Sequence, residues 1–102
     1  MAVTSITGHQ SYRSSVPSTE TDTIALGVSS LRPTVAVHPG AGGTMTIQYT
    51  ASPLPSILAG TASWVNWAHN ASSAPRLEFL QGPVTGIRCT AAVSEGVWEV
   101  VT

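Results

Sequence analysis

Side chains that bind metals or act as nucleophiles are few in this chain. His9, His38 and His69 lie far apart and share no ligand spacing, whereas a metal site needs several such side chains to converge. Cys89 is the only cysteine, and it falls on the apolar face of a predicted strand. A reactive thiolate needs an accessible, electropositive site. We therefore predict no metal, no cofactor and a buried, inert Cys89.

Patterns typical of catalytic sites are also weak. No serine lies in the Gly-x-Ser-x-Gly setting that exposes a hydrolase nucleophile. Glu78 and Glu99 could lie on neighbouring strands as the carboxylate pair of a glycosidase, but solvent-facing strand positions explain both residues better. The glycine-rich stretch 40–43 precedes a predicted strand and the chain has no lysine, which indicates a turn and not a phosphate-binding loop. These residues predict a protein that is not an enzyme.

Two tryptophans are more informative. Trp64 and Trp67 are three positions apart, so on a strand they point to opposite faces. One can enter the core, and the other is then exposed or covered by a partner. An exposed tryptophan is a common anchor in protein interfaces and a common platform for sugars. Core packing, a protein contact, and a carbohydrate site that includes Asn66 or His69 all remain open.

The composition excludes several classes of partner. Charged residues make up 9% of the chain, against about 25% in an average globular protein. The net charge is −1 and the four cations are scattered arginines, which predicts no nucleic-acid binding. No apolar run approaches the roughly 20 residues of a membrane-spanning helix, so we predict no membrane association. The N-terminal residues lack the pattern of a secretory signal, and we expect folding in a reducing cytoplasm.

Residues 1–20 differ from the rest of the chain. This segment is rich in serine and threonine and has almost no paired apolar residues after Ile6. Taken alone, it cannot bury enough apolar area to offset the entropy lost on ordering. We predict an extended N-terminal arm over 1–20, including Tyr12, that is either mobile or ordered by a neighbouring subunit. Residues 21–102 form the predicted globular domain.

From Asp22 onward the hydrophobic period is two, which is typical of strands. The clearest case is the stretch 44–50, in which Met45, Ile47 and Tyr49 face one way and polar residues face the other. Similar alternation marks 24–28, 35–37, 64–67, 76–79, 85–91 and 97–101, with Trp98 and Val100 inward and Glu99 outward. The pattern predicts an all-β fold, a β-sandwich or jelly-roll-like barrel of about seven or eight short strands.

The segment 52–60 does not fit this alternation. Pro53 and Pro55 predict that no regular helix begins before Ser56, and they exclude a central strand. Its apolar residues are unusual for a solvated loop, so we expect the segment to cover one end of the core or to pack on a partner.

A series of short segments separated by turns spans roughly the last two-thirds of the chain. The segments are residues 34–40, a glycine turn, residues 43–50, Trp64 to Trp67, residues 82–88, and a terminal Val-Trp-Glu-Val-Val strand. In this series of segments the chain resembles small virion proteins of tailed bacteriophages, in particular head decoration (cement) proteins. The resemblance implies a homotrimeric β-sandwich that binds and stabilises the head shell, with the major capsid protein or other virion proteins as partners and the virion as its location. A tail or fibre accessory protein and a carbohydrate-binding module are the alternatives.

On this reading, the arm and the 53–58 segment carry the partner contacts together with the tryptophans. The predicted partner-binding residues are Tyr12, Leu54, Ile57, Leu58, Trp64 and Trp67.

Overall fold

The computed structural model describes residues 3–26, 32–80 and 84–102. Within these ranges, the alternating side chains and the Gly/Pro turns produce nine strands and one short helix. The predicted strand residue Val28 and the predicted break at Gly82 and Pro83 lie outside these ranges. The elements are β1 Val3–Ser5, β2 Ser11–Val16, β3 Thr21–Ala25, β4 Thr34–His38, β5 Thr44–Thr50, α1 Leu54–Ala59, β6 Val65–Asn66, β7 Arg76–Phe79, β8 Gly86–Ala92 and β9 Gly96–Val101. No helix in these ranges is long and apolar enough to cross a membrane.

The strands form two sheets that enclose one core. The five-stranded sheet has the order β1-β3-β8-β5-β6, and the four-stranded sheet has the order β2-β9-β4-β7. Their inner faces pack together, because strands with period-two hydrophobicity can bury one face only. The predicted all-β sandwich is therefore confirmed. The core consists of Ile6, Val16, Ile24, Leu26, Val35, Val37, Met45, Ile47, Trp67, Leu80, Val84, Ile87, Cys89, Ala91, Trp98 and Val100.

The N-terminal segment differs from its prediction. Residues 3–20 are not a separate arm: β1 pairs in parallel with β3, and β2 pairs along its whole length with β9, from Ser11 opposite Val101 to Val16 opposite Gly96. Ile6 and Val16 are buried in the core. The segment has too few apolar residues to order alone, but the backbone of β9 supplies a ladder of hydrogen bonds that the local sequence does not reveal. It also contributes β1 and β2, so the described residues form nine strands against the seven or eight predicted.

The last strand follows the prediction. Trp98 and Val100 are fully buried, and Glu99 points outward, where it accepts a hydrogen bond from His38 and lies 3.6 Å from Arg13. Glu78 is not its neighbour. β4 separates β7 from β9, and the registers place Glu78 and Glu99 on opposite faces of the sheet, so the two carboxylates do not form a pair.

The glycine-rich stretch 40–43 is a turn, as predicted, and it carries the chain from one sheet to the other. Gly42 has a φ of 72°, a left-handed conformation that glycine adopts without steric cost, and the Gly43 amide donates to the Gly40 carbonyl at 3.0 Å. This crossover brings β5 into the five-stranded sheet.

The segment 52–60 contains a helix, which corrects the prediction that none begins before Ser56. Pro53 caps α1, and Pro55 lies in its first turn, where the backbone N–H that proline lacks would have no helical partner. Gly60 ends the helix with a φ of 77°. Ile57 packs against Gly86 on the outer face of the five-stranded sheet, where a Cβ on Gly86 would lie only 2.9 Å from the Ile57 Cδ1 atom. The helix is thus fixed to the sheet by one side chain.

Candidate functional site

A groove of about 390 Å³ lies where α1 meets the outer face of the five-stranded sheet. We call it the α1 groove. Its walls come from the C-terminal half of the helix, from Trp64 just before β6, and from outward-facing residues of β1, β3 and β8. The lining residues are Val3, Thr21, Thr23, Ile57, Leu58, Ala59, Gly60, Trp64 and Arg88. Elements distant in the sequence therefore meet at one concave surface.

The α1 groove brings together three of the predicted partner-binding residues: Ile57, Leu58 and Trp64. Ile57 is buried and fixes the helix, whereas Leu58 is 60% exposed and Trp64 is half-buried. Leu54 is one helical turn before Leu58, so the two lie on the same face, and it is 39% exposed. The helix thus exposes two leucines, and the second of them, Leu58, lines the groove together with Trp64.

The polar centre of the groove is Arg88. Its Nε donates a hydrogen bond of 2.7 Å to Gln48 Oε1, and Gln48 Nε2 in turn donates to Asn66 Oδ1 at 2.8 Å. The guanidinium carbon lies 4.4 Å from the centroid of the Trp64 ring, in cation–π contact. Partial burial lowers the pKa of Arg88 from its ordinary value. The guanidinium is therefore held in one orientation and has lost part of its hydration.

Sequence reasoning did not identify Arg88. Alternation over 85–91 places it on the outward face of its strand, which is its only signal. Its contact with Trp64 arises because β5 lies between β6 and β8, and the side chains of Asn66, Gln48 and Arg88 line up across these three strands. That arrangement depends on strand order, which no local pattern encodes.

Trp67 points to the other side of the sheet, as its spacing from Trp64 predicted. It is 6% exposed and belongs to the core, and its ring meets His69 edge-on at 4.9 Å. A second cavity of about 330 Å³ lies beside it, and we call it the Trp67 pocket. The lining residues are Tyr49, Trp67, Ala68, His69, Glu78, Phe79 and Leu80.

Tyr12 also lies apart from the α1 groove. Its hydroxyl donates to Asp22 Oδ2 at 2.7 Å, and its ring meets Trp98 edge-on at 5.9 Å. Burial, followed by the hydrogen bond to Asp22, raises the pKa of Tyr12. The same Asp22 oxygen accepts the Trp98 indole N–H at 2.8 Å. Tyr12 thus takes part in a contact within the domain, in a cluster that joins β3 of one sheet to β2 and β9 of the other.

The three histidines each contact a different part of the domain. The His9 ring lies 2.6 Å from the Thr102 carbonyl oxygen, His38 contacts Glu99, and His69 packs on Trp67. In the ranges that the structure describes, no three His, Cys, Asp or Glu side chains lie close enough together to hold a metal ion.

Cys89 is buried, which confirms its predicted position. Burial, with a smaller contribution from Asp22 opposite it on β3, raises the pKa of its thiol to about 12. We expect iodoacetamide at pH 8 to leave the folded protein unmodified and to alkylate it in urea, because the reactive species is the thiolate. Mass spectrometry measures the extent of modification. Rapid labelling of the folded protein would contradict the assignment.

The same pKa has a consequence for stability. An unfolded thiol titrates near pH 8.5, so between about pH 9 and pH 12 the unfolded chain loses a proton that the folded protein retains. The free energy of unfolding should therefore fall with rising pH in this window, by up to about 1.4 kcal/mol per pH unit from this group. Cys89→Ala is the control, because it removes that contribution and leaves the others.

Among known proteins, the chain is similar in fold to a solved structure. No family model matches the chain, and no curated protein matches it. Among solved structures, the pre-peptidase C-terminal domain of a collagenase from Bacillus anthracis is similar, with a TM-score of 0.50 and 11% sequence identity. The match covers 98% of this chain and 93% of that domain. At this identity the likeness concerns the fold alone, and it supports the two-sheet β architecture over nearly the whole chain.

Proposed function

We propose that this protein is a non-enzymatic structural component of a bacteriophage virion, a decoration protein that binds the head shell through α1 and the α1 groove. One observation carries the proposal: Leu54 and Leu58 face solvent on a short helix that is fixed to the sheet by Ile57, and Leu58 lines the groove together with the half-buried Trp64. Exposed apolar side chains around a concave surface are typical of protein interfaces.

The energetics favour assembly in many copies. Full burial of a large apolar side chain stabilises a complex by roughly 1.5–3 kcal/mol, and Leu54, Leu58 and Trp64 are already partly covered. Such a contact is weak for one copy, because association also costs translational and rotational freedom. A homotrimer on a symmetric shell makes several contacts at once, and the resulting avidity exceeds that of any single site.

Two exposed leucines, Leu58 on α1 and Leu77 on β7, allow a test of capsid binding. Leu58→Ser should weaken binding to purified capsids of the phage that encodes the protein by about tenfold or more, since 1.4 kcal/mol corresponds to a factor of ten. Leu77→Ser is the control. Leu77 is 69% exposed, but it lies on the outer face of the four-stranded sheet, away from α1. Co-sedimentation measures binding, and light scattering measures whether both variants keep the mass of the wild-type oligomer.

Three results would contradict the proposal: no binding of the wild-type protein to capsids, equal loss of binding in the two variants, or binding to isolated tails in place of heads. The last result would favour the tail or fibre alternative.

Carbohydrate binding is a second candidate, and the Trp67 pocket favours it. Aromatic rings and polar groups meet there, with Phe79 exposed beside His69 and Glu78, and sugars stack on such rings while their hydroxyls bond to polar side chains. Titration with oligosaccharides, followed by tryptophan fluorescence, distinguishes this candidate from a decoration protein, which should show no saccharide affinity.

A further inference from the structure

Arg88 differs from the other arginines in its electrostatic surroundings. Arg13 lies 3.6 Å from Glu99, Arg76 lies 3.9 Å from Glu78, and Arg32 lies over the ring of Phe79. In the part of the chain that the structure describes, no carboxylate lies within ion-pairing distance of Arg88. A partly buried cation therefore faces the α1 groove without a counterion from those residues.

The donors of Arg88 are only partly used. A guanidinium has five N–H groups, and the bond to Gln48 occupies the one on Nε. The guanidinium carbon lies over the Trp64 ring, and a cation–π contact of this kind does not require an N–H donor. Within the described residues, the two terminal nitrogens of Arg88 donate no hydrogen bond. Two parallel N–H groups at the edge of a guanidinium match the two oxygens of a carboxylate.

We propose that Arg88 receives an aspartate or glutamate side chain of the partner protein in the α1 groove. This inference rests on the proposed docking function and names the chemistry that the partner brings to the same surface. The groove walls beside Arg88 include Leu58 and the Trp64 ring, so the acidic residue is expected to be flanked by apolar residues.

The surroundings favour a carboxylate over a phosphate. A phosphate group carries up to two charges and three acceptor oxygens, which a single guanidinium does not match, and the chain has no lysine to add a second cation. The hydroxyl of Thr21 in the groove wall is already bonded to Thr90 at 2.8 Å. One carboxylate charge would compensate the single charge of the partly buried Arg88, and the lowered pKa of Arg88 agrees with a site that lacks an anion.

A peptide titration tests the site without the capsid. The probe is acetyl-Leu-Glu-Leu-amide, the matched probe is acetyl-Leu-Gln-Leu-amide, and the readouts are the NMR signals of the Arg88 Nε–H and the Trp64 indole N–H. We expect the glutamate peptide to shift both signals and to bind at least about tenfold more tightly than the glutamine peptide. Arg88→Gln should abolish the shift at Trp64, and Arg88→Lys should weaken it, because lysine lacks the planar fork.

Arg13→Gln is the control variant. Arg13 lies on the outer face of the other sheet, so this substitution should leave the titration unchanged. Thermal unfolding verifies that each variant is folded. Equal affinity for the two peptides, an unchanged shift in Arg88→Gln, or tighter binding of inorganic phosphate would overturn the inference. Failure of the capsid assay with an intact peptide titration would contradict only the decoration role, so the two proposals fail separately.

Discussion

The variant Ile47→Asp is expected to be unfolded. Ile47 is fully buried at the centre of β5, which pairs with β8 on one side and β6 on the other. Loss of the buried side chain and introduction of an unpaired charge together cost on the order of 5 kcal/mol, a large part of the roughly 5–15 kcal/mol that stabilises a typical domain. Near-UV circular dichroism and the dispersion of NMR signals measure the loss of folded structure.

The neighbouring residue provides the control. Thr46 is on the same strand but points outward, opposite Thr90. Thr46→Asp should remain folded and lose about 1 kcal/mol, since aspartate is a poor strand former but its charge stays hydrated. If both variants unfolded, or if both remained folded, the assignment of the two faces of β5 would be wrong.

The variant Asp22→Ala is expected to lose about 3 kcal/mol of stability. The Asp22 carboxylate accepts hydrogen bonds from Tyr12 and from the Trp98 indole, and so connects the two sheets across the core. Its removal leaves the N–H of a fully buried tryptophan without its acceptor, and an orphaned buried donor costs about 1–3 kcal/mol in addition to the lost charged bonds. Urea unfolding monitored by tryptophan fluorescence measures the change.

Tyr12→Phe provides the comparison, because it removes one of the two bonds and leaves Trp98 paired. We expect a loss of about 1 kcal/mol for this variant. The double variant should lose less stability than the sum of the losses in the two single variants, since both changes remove the same hydrogen bond between Tyr12 and Asp22. A loss in Asp22→Ala no larger than that in Tyr12→Phe would show that water replaces the carboxylate at the indole.

The fold class could be predicted from local sequence because the side-chain period of a strand is a local property. Alternation at Met45, Ile47 and Tyr49, and again at Trp98 and Val100, requires that one face be buried, whichever strands lie beside them. The spacing of three positions likewise places the side chains of Trp64 and Trp67 on opposite sides of the sheet. The two prolines do not reveal where α1 begins, because proline is excluded from helix interiors but is tolerated in the first turn.

Pairing between distant segments could not be predicted. Residues 1–20 resemble an arm when taken alone. The part that the structure describes, residues 3–20, joins the sandwich because β1 pairs with β3 and because β9, at least 80 residues later in the chain, pairs with β2. Arg88, Trp64 and α1 meet only through the order of the strands in the sheet. Backbone hydrogen bonds are the same for every sequence, so strand order and register follow from the packing of the whole core, and the position of the α1 groove follows from them.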